Sequence, residues 1–362
     1  MSFDAARNAE PPRVAVAARH DLRRALPGGA EARPGGPSGR RRPLPACRQK
    51  TGESSYPGRG RAGRVGRTSS NASESSVTDH PSSSTLIYRS LTETDLPAAH
   101  QLSEAVKWPH RLDDWRFVYQ LGAGFVAESG NGIVGTALGW TYDASHASLG
   151  MVIVSPEQQG RGIGRELFSR VVDSLGTRTI FLHATPAGEP LYAKFGFTAT
   201  GTIDQHQGAA FRPPLISLPS GERLRPLGAN DGPRLAALAS RAAGYRRDAV
   251  IEALLGVANG IALDRDGELL GFALFRRFGR GHAIGPVVAP DALRAQALIS
   301  HWLALHEGMF VRLDVPGDSG LSDWLEGLGL PRVDTVLAMT RGATPTRESA
   351  LRAFGIVNQA LG

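Results

Sequence analysis

Apolar residues at Ile163, Leu167, Val171 and Leu175 fall one helical turn apart, and the spacing predicts a helix from about Gly162 to Leu175 with one buried face. Short β-rich runs and helical stretches alternate around it. Leu86 to Leu91 reads as a strand, and the run TETDLP then opens a helix with a Thr cap and Pro97 in its first turn. A second helix is expected over Leu112 to Leu121, followed by a hairpin of Phe125–Glu128 and Ile133–Thr141 around a Ser129–Gly132 turn that tolerates positive φ. Leu149–Val154 and Thr179–Ala184 read as strands, Gly188–Phe195 as a short helix and Phe197–Ile203 as another strand.

The pattern then repeats. Arg89, Leu91, Asp95, Pro97 and Leu102 recur 136 positions later as Arg225, Leu227, Asp231, Pro233 and Leu238. Gly135, Ala137 and Leu138 recur at the same offset as Gly271, Ala273 and Leu274, and Phe195-Gly-Phe197 returns as Leu328-Gly-Leu330. Two copies of one α/β (α+β) fold are expected, over residues 85–218 and 219–342, with 343–362 as a C-terminal tail. The places of Gln159, Gly162 and Gly164 are taken in the second copy by Leu293, Gln296 and Leu298, so that copy has lost a glycine loop.

Composition changes the picture mainly at the N-terminus. Residues 1–84 are rich in Gly, Pro, Ser and Arg without helical or strand period and are expected to be disordered. They hold 15 of the 41 basic and 7 of the 34 acidic residues, so this segment carries +8 and the remainder −1. The net charge of +7 is therefore no sign of a basic nucleic-acid groove on the folded body. The segment reads as a nucleic-acid-binding arm, a transit peptide or an over-long start, Met1 being the only methionine before Met151. One cysteine, Cys47, leaves no disulfide framework and fits a reducing, cytoplasmic setting. No apolar run is long enough to span a membrane. The ten histidines show no HxxxH spacing or cysteine partners, so no metal is expected.

The chemistry concentrates in Met151 to Arg165, a strand, a glycine-rich loop and a helix start. Such a junction aims backbone N–H groups and a positive helix end at one point, which suits a pyrophosphate. Glycines 160, 162 and 164 admit close approach, and Arg161 and Arg165 can add charge-assisted contacts. A P-loop would need Gly-Lys-Ser/Thr where Gly164-Arg165-Glu166 stands, and a dinucleotide fold would place the loop after its first strand. A purely structural turn remains as the plain alternative.

QGRGIG at Gln159–Gly164 and LYAKFGF at Leu191–Phe197 resemble the QxxGxG signature and the Tyr-bearing helix of the GCN5-related N-acetyltransferases (GNAT). The resemblance covers Leu86 to about Arg212 strongly and Glu222 to Gly342 as a degenerate copy. With KWPHRLDDW in the first copy and GPVVAP in the second, the layout is similar to tandem YitH-like acetyltransferases. It implies tandem folds, each a mixed, mostly antiparallel sheet flanked by helices, and acetyl transfer from acetyl-CoA to a primary amine in a ternary complex. By the same resemblance the cofactor-binding residues are Val152, Ile153 and Val154 on the fourth strand, Gln159, Gly160, Arg161, Gly162, Ile163, Gly164 and Arg165 in the loop, and Thr185. Tyr192 is implied as the acid that protonates the departing thiolate; a core Tyr whose hydroxyl only satisfies a carbonyl is the alternative.

For the base, His183 at a strand end has a suitable intrinsic pKa, with His110 and His206 on expected loops as rivals and an ordered water chain as a substitute. Asp143 and Glu128 read as solvated turn residues. Trp108, Trp115 and Trp140 line a pocket or fill core, and Arg276, Arg277, Arg280 and His282 face an anion or solvent. The expected partner is a small-molecule amine, with no nucleic acid or membrane for the folded body, in a monomer or homodimer. A non-catalytic acetyl-CoA sensor and an interaction protein acting through the Arg-rich tail are the competing classes.

Overall fold

The computed structural model describes residues 85–130 and 132–362; the N-terminal segment and Asn131 of the hairpin turn lie outside the described residues. In the first half, β1 (Ile87–Ser90) leads into α1 (Leu96–Ala105) and α2 (Leu112–Leu121). Then come β2 (Ala123–Ser129), β3 (Gly132–Thr141), β4 (His146–Val154), α3 (Ile163–Leu175), β5 (Thr179–Ala184), α4 (Glu189–Lys194) and β6 (Thr198–Ala209). The second half repeats the order as β7 (Glu222–Pro226), α5 (Gly232–Ala243), α6 (Asp248–Leu255), β8 (Ala258–Arg265), β9 (Glu268–Phe278) and β10 (Gly281–Ala289). It continues through α7 (Ala292–Leu305), β11 (Phe310–Pro316), α8 (Ser322–Gly327) and β12 (Arg332–Arg341), with an added β13 (Arg352–Gly355).

The recurring Arg and Asp do the same work twice. Arg89 meets Asp95 at 2.7 Å and Asp95 accepts the Thr92 backbone N–H at 2.8 Å; Arg225 meets Asp231 at 2.6 Å and Asp231 accepts the Gly228 N–H at 2.7 Å. Each carboxylate closes the turn ahead of a helix by accepting a backbone N–H three residues back, and ties that turn to the arginine of the adjacent edge strand. The hydrogen bonds from Arg89 hold Asp95 down at about 2, and those from Arg225 lower Asp231 likewise. A depressed carboxylate stabilises the fold above its unfolded pKa of about 3.9 and ceases to do so as pH falls toward the folded value. Asp95→Asn should therefore cost about 1–2 kcal/mol at pH 7. In denaturant titrations that deficit should shrink as pH drops from about 4 toward 2.

Among the described residues all thirteen strands join one sheet, in the order β1-β2-β3-β4-β5-β12-β6-β11-β10-β9-β8-β7, with β13 on β10. The order is a palindrome with the sixth strands exchanged. β12 of the second half pairs antiparallel with β5, and β6 of the first pairs antiparallel with β11 along Ile203–Ala209. This explains why β6 runs to Ala209, beyond the expected Ile203.

β3 is buried on both faces. Leu138 and Trp140 face a core under α1 and α2, whereas Val134 and Ala137 face α3. A Cβ on Gly135 or Gly139 would lie 2.9 Å from Leu167 or 2.8 Å from Val171, so bare backbone lets α3 pack close. The core under α1 and α2 also contains Leu235, Leu238, Ile251 and Leu254 of α5 and α6. The halves thus share a core as well as a sheet.

Residues 343–362, expected as a tail, are built into the fold. Leu351, Phe354, Val357 and Leu361 are buried, and β13 adds to β10 at Val287–Ala289. A run this short carried no period long enough to read.

Candidate active site

β4 ends at Val154, and the chain turns through Ser155 and Pro156 into the glycine loop. Gly160 and Gly162 take φ of +79° and +80°, which disfavours side chains, and a Cβ at either would meet nothing within 4 Å. Gly162 is the N-cap of α3, whose first turn no side chain caps. Ile163 is buried and anchors the helix, while Gln159, Arg161 and Arg165 are exposed. The result is an open cluster of N–H donors at a positive helix end with two arginines beside it, an anion site. Gln159 donates to the Val154 carbonyl at 3.2 Å, and Arg161 bonds Gln158.

The counterpart at α7 is closed. The Asp291 carboxylate accepts the Arg294 N–H at 2.9 Å, and Arg294 pairs with Asp291 and with Glu222 at 2.6 Å. A carboxylate of the chain itself occupies the place an anionic ligand would take.

β4 and β5 pair in parallel only over His146–Ser148 and Thr179–Phe181, then diverge. Met151, at φ +52°, lies beside the bulge in the β3–β4 ladder, and Thr136 holds its carbonyl at 2.8 Å. The gap opens onto a cavity of about 260 Å³ lined by Met151, Val152, His183, Thr185 and Tyr192. Ile153 points into the core and Val154 against the start of α3, so these two can offer only backbone to a ligand.

His183 Nδ1 lies 2.7 Å from the Gln359 carbonyl. A carbonyl only accepts, so Nδ1 carries the proton and Nε2 keeps its lone pair, with no hydrogen-bond partner among the described residues. Burial lowers the His183 pKa, which keeps the ring neutral at pH 7. Tyr192 stacks on Phe168 at 4.8 Å, and its Oη has no hydrogen-bond partner among the described residues. Burial raises its pKa to about 12, so it remains a proton donor.

The rival histidines separate. His110 lines the same cavity with Nδ1 buried and unpartnered, and burial lowers its pKa to about 4. His206 sits on β6 rather than a loop, 2.9 Å from the Leu330 carbonyl and 3.2 Å from Ser322, so both nitrogens are engaged. Asp143 caps its own turn through Ser145 and His146, and Glu128 pairs with Arg89 at 2.7 Å. Trp115 and Trp140 are core, bonding Ser103 and the Val118 carbonyl, whereas Trp108 lines the cavity. The basic cluster disperses too. Arg276 is buried over Phe278, His282 stacks on Phe275, and only Arg280 reaches the cavity.

Phe278, Arg312, Asp334 and Gln359 complete the wall from the second half, along with Gln205 and Gln207 of the exchanged β6. No local motif marks them, because the strand exchange brings them to the first half's site.

A second cavity, of about 680 Å³, lies between the α5–α6 loop, β10 and the end of β11, and is walled on the first half's side by Phe181–His183 and Thr200–Ile203, so His183 borders both cavities. At the offset set by Leu328, Pro316 stands for His183 and Leu325 for Tyr192. β10 and β11 pair only at His282–Ala283 and Val311–Arg312, and β13 fills the gap beyond. The second copy therefore lacks the loop, the open gap and both polar side chains. Among the described residues no group of three His, Cys, Asp or Glu side chains is placed to hold a metal, and no helix is long and apolar enough to cross a membrane.

Two family models, each described as an acetyltransferase (GNAT) domain, match residues 120–199 and 235–355, together more than half the chain. The chain belongs to the GNAT acetyltransferases. The GNAT relative "Uncharacterized N-acetyltransferase YitH" of Bacillus subtilis is 27% identical over 261 residues, 70% of this chain and 91% of that protein. Among solved structures, "a putative acetyltransferase" from Pyrococcus horikoshii superposes with a TM-score of 0.63 at 22% identity, covering 76% of this chain and 96% of that one. A tandem GNAT protein from the clavulanic acid biosynthesis pathway gives 0.53 at 17% identity, covering 72% of this chain and all of the other. At these identities the two structures speak for the fold alone.

Proposed function

We propose that this GNAT acetyltransferase moves an acetyl group from acetyl-CoA to the primary amine of a small molecule, at the first half alone. One observation carries the reading: His183 and Tyr192 line one cavity at the β4–β5 gap, the open anion loop follows directly from the end of β4, and each of these features is closed or replaced in the second half. The pyrophosphate rests on the Gln159–Gly164 N–H groups, with Arg161 and Arg165 alongside, and the pantetheine passes between β4 and β5. The acceptor enters from the side of Trp108 and His110.

As the amine nitrogen bonds the thioester carbon, His183 Nε2 takes its proton; as the C–S bond breaks, Tyr192 Oη–H protonates the sulfur. Bound neighbours held in line supply the rest of the acceleration. A cavity of about 260 Å³ is below the usual range for drug-sized ligands, about 300–1,000 Å³, which favours a small acceptor.

Thiol release over an amine panel tests the assignment. Tyr192→Phe should lower kcat about 100-fold or more with KM for acetyl-CoA little changed. The His183 base limb should lie below the ordinary histidine pKa of about 6.5, with rate falling as pH drops through it, and His183→Gln should abolish that limb. Full turnover in Tyr192→Phe together with tight acetyl-CoA binding would favour a sensor over an enzyme.

A further inference from the structure

The cavity beside His183 carries a charge pattern that a simple amine does not match. Its cations are Lys107, Arg280 and Arg312; its acids are Asp114 and Asp334. Asp114 is already neutralised, accepting from Arg111 Nη2 at 2.8 Å, from the Arg111 N–H at 2.9 Å and from the Gly279 N–H at 2.9 Å. Arg312 places Nε and Nη2 on Asp314 at 2.8–3.1 Å, which leaves Nη1 for a ligand. Lys107 and Arg280 are exposed and form no ion pair among the described residues. By the same count Arg312 is balanced by Asp314, so among the described residues two unpaired cations, Lys107 and Arg280, together with the free Nη1 of Arg312, face one unpaired carboxylate, Asp334.

The backbone adds a second observation. Among the described residues only three non-glycines have positive φ, and two of them, Lys107 at +61° and Met151 at +52°, line this cavity. Strain of this kind persists where surrounding structure fixes it and clusters at ligand sites. Here it holds Lys107 at the mouth and Met151 at the floor.

We propose that the acceptor is a zwitterion, an amino acid or a close relative whose amine meets His183 Nε2 while its carboxylate is taken by Arg280, Arg312 and Lys107. The inference rests on the acetyl-transfer reading above. An ammonium ion alone would approach against two unpaired cations, whereas a carboxylate on the same molecule converts that repulsion into charge-assisted hydrogen bonds with them and with Arg312 Nη1. Polyamines, which bring only positive charge, are disfavoured by the same field. The glycine loop is not a competing explanation for these cations, since it carries its own arginines, Arg161 and Arg165.

Matched acceptors test this in the full chain: phenylalanine against phenethylamine, leucine against isopentylamine, and lysine against cadaverine. The carboxylate-bearing member of each pair should have a kcat/KM about 10- to 100-fold higher. Arg280→Gln should collapse most of that advantage through KM, Lys107→Gln should reduce it, and Arg280→Lys should restore part of it. Both positions are exposed and unpaired, so folding is not at stake. Equal turnover within the pairs, or an advantage that survives Arg280→Gln and Lys107→Gln combined, would overturn the inference and leave acetyl transfer standing. Turnover of neither member of any pair, by a folded chain that binds acetyl-CoA, would overturn the acetyl-transfer reading and this inference with it.

Discussion

Gly162→Glu should abolish acetyl-CoA binding and leave the chain folded. Gly162 holds φ +80°, ψ 0° at the N-cap of α3, and a Cβ there meets no atom within 4 Å. The substitution therefore costs only the left-handed conformation, about 1–2 kcal/mol. The new carboxylate would, however, stand where the proposed pyrophosphate rests, taking the N–H donors and repelling the ligand. The second half already displays this state, with the Asp291 carboxylate on the Arg294 N–H at 2.9 Å. In thermal-shift measurements, acetyl-CoA at 100 times Kd should stabilise the wild type by about 2.7 kcal/mol and the variant not at all. Gln296→Glu, at the position the sequence offset matches to Gly162 but which the structure places inside α7, should respond as the wild type does.

Phe354→Ala combined with Leu361→Ala should leave little folded protein at 37 °C. Phe354 packs in the second half's core among Trp302, Leu313 and Val315, whereas Leu361 sits in the core shared by α1, α2, α5 and α6. Truncating a buried Phe costs about 3–5 kcal/mol and a buried Leu about 2–5. The sites lie in different clusters, so the costs should add, and their sum is comparable with a whole domain's stability of about 5–15 kcal/mol. A loose terminal tail would give no change in the urea midpoint. The single Leu361→Ala has a further readout, because the Leu361 carbonyl accepts from Tyr142 at 2.6 Å and the segment continues from Gln359, which orients His183.

Much of the first half was legible because each element carries its own period or cap. α2 and β5 have the residues the pattern indicated, and α3 starts at Ile163, directly after the glycine that ends the loop. The repeat was legible for a physical reason as well: Arg89–Asp95 and Arg225–Asp231 form the same capped ion pair, so the spacing is fixed by one geometry.

What stayed hidden depends on partners distant in sequence. β6 and β12 each read as a sixth strand, and nothing local says that they exchange places. The start of β4 at His146, three residues before the expected Leu149, is set by its parallel pairing with β5. His206 looked like a loop residue because Asp204-Gln-His-Gln207 is polar, yet those positions pair with β11 and are held by cross-strand bonds. The site divides along the same line. The loop, Tyr192 and His183 belong to local motifs, whereas Arg312 and Gln359 reach the cavity only through the exchanged strands and the C-terminal segment.

One working acetyl-transfer site in a chain built of two copies is the proposal on which the rest depends. Calorimetric titration of the full chain with acetyl-CoA tests it most directly. One acetyl-CoA should bind per chain, with all binding heat lost in Gly162→Glu. Two sites per chain, or full binding in that variant, would contradict it.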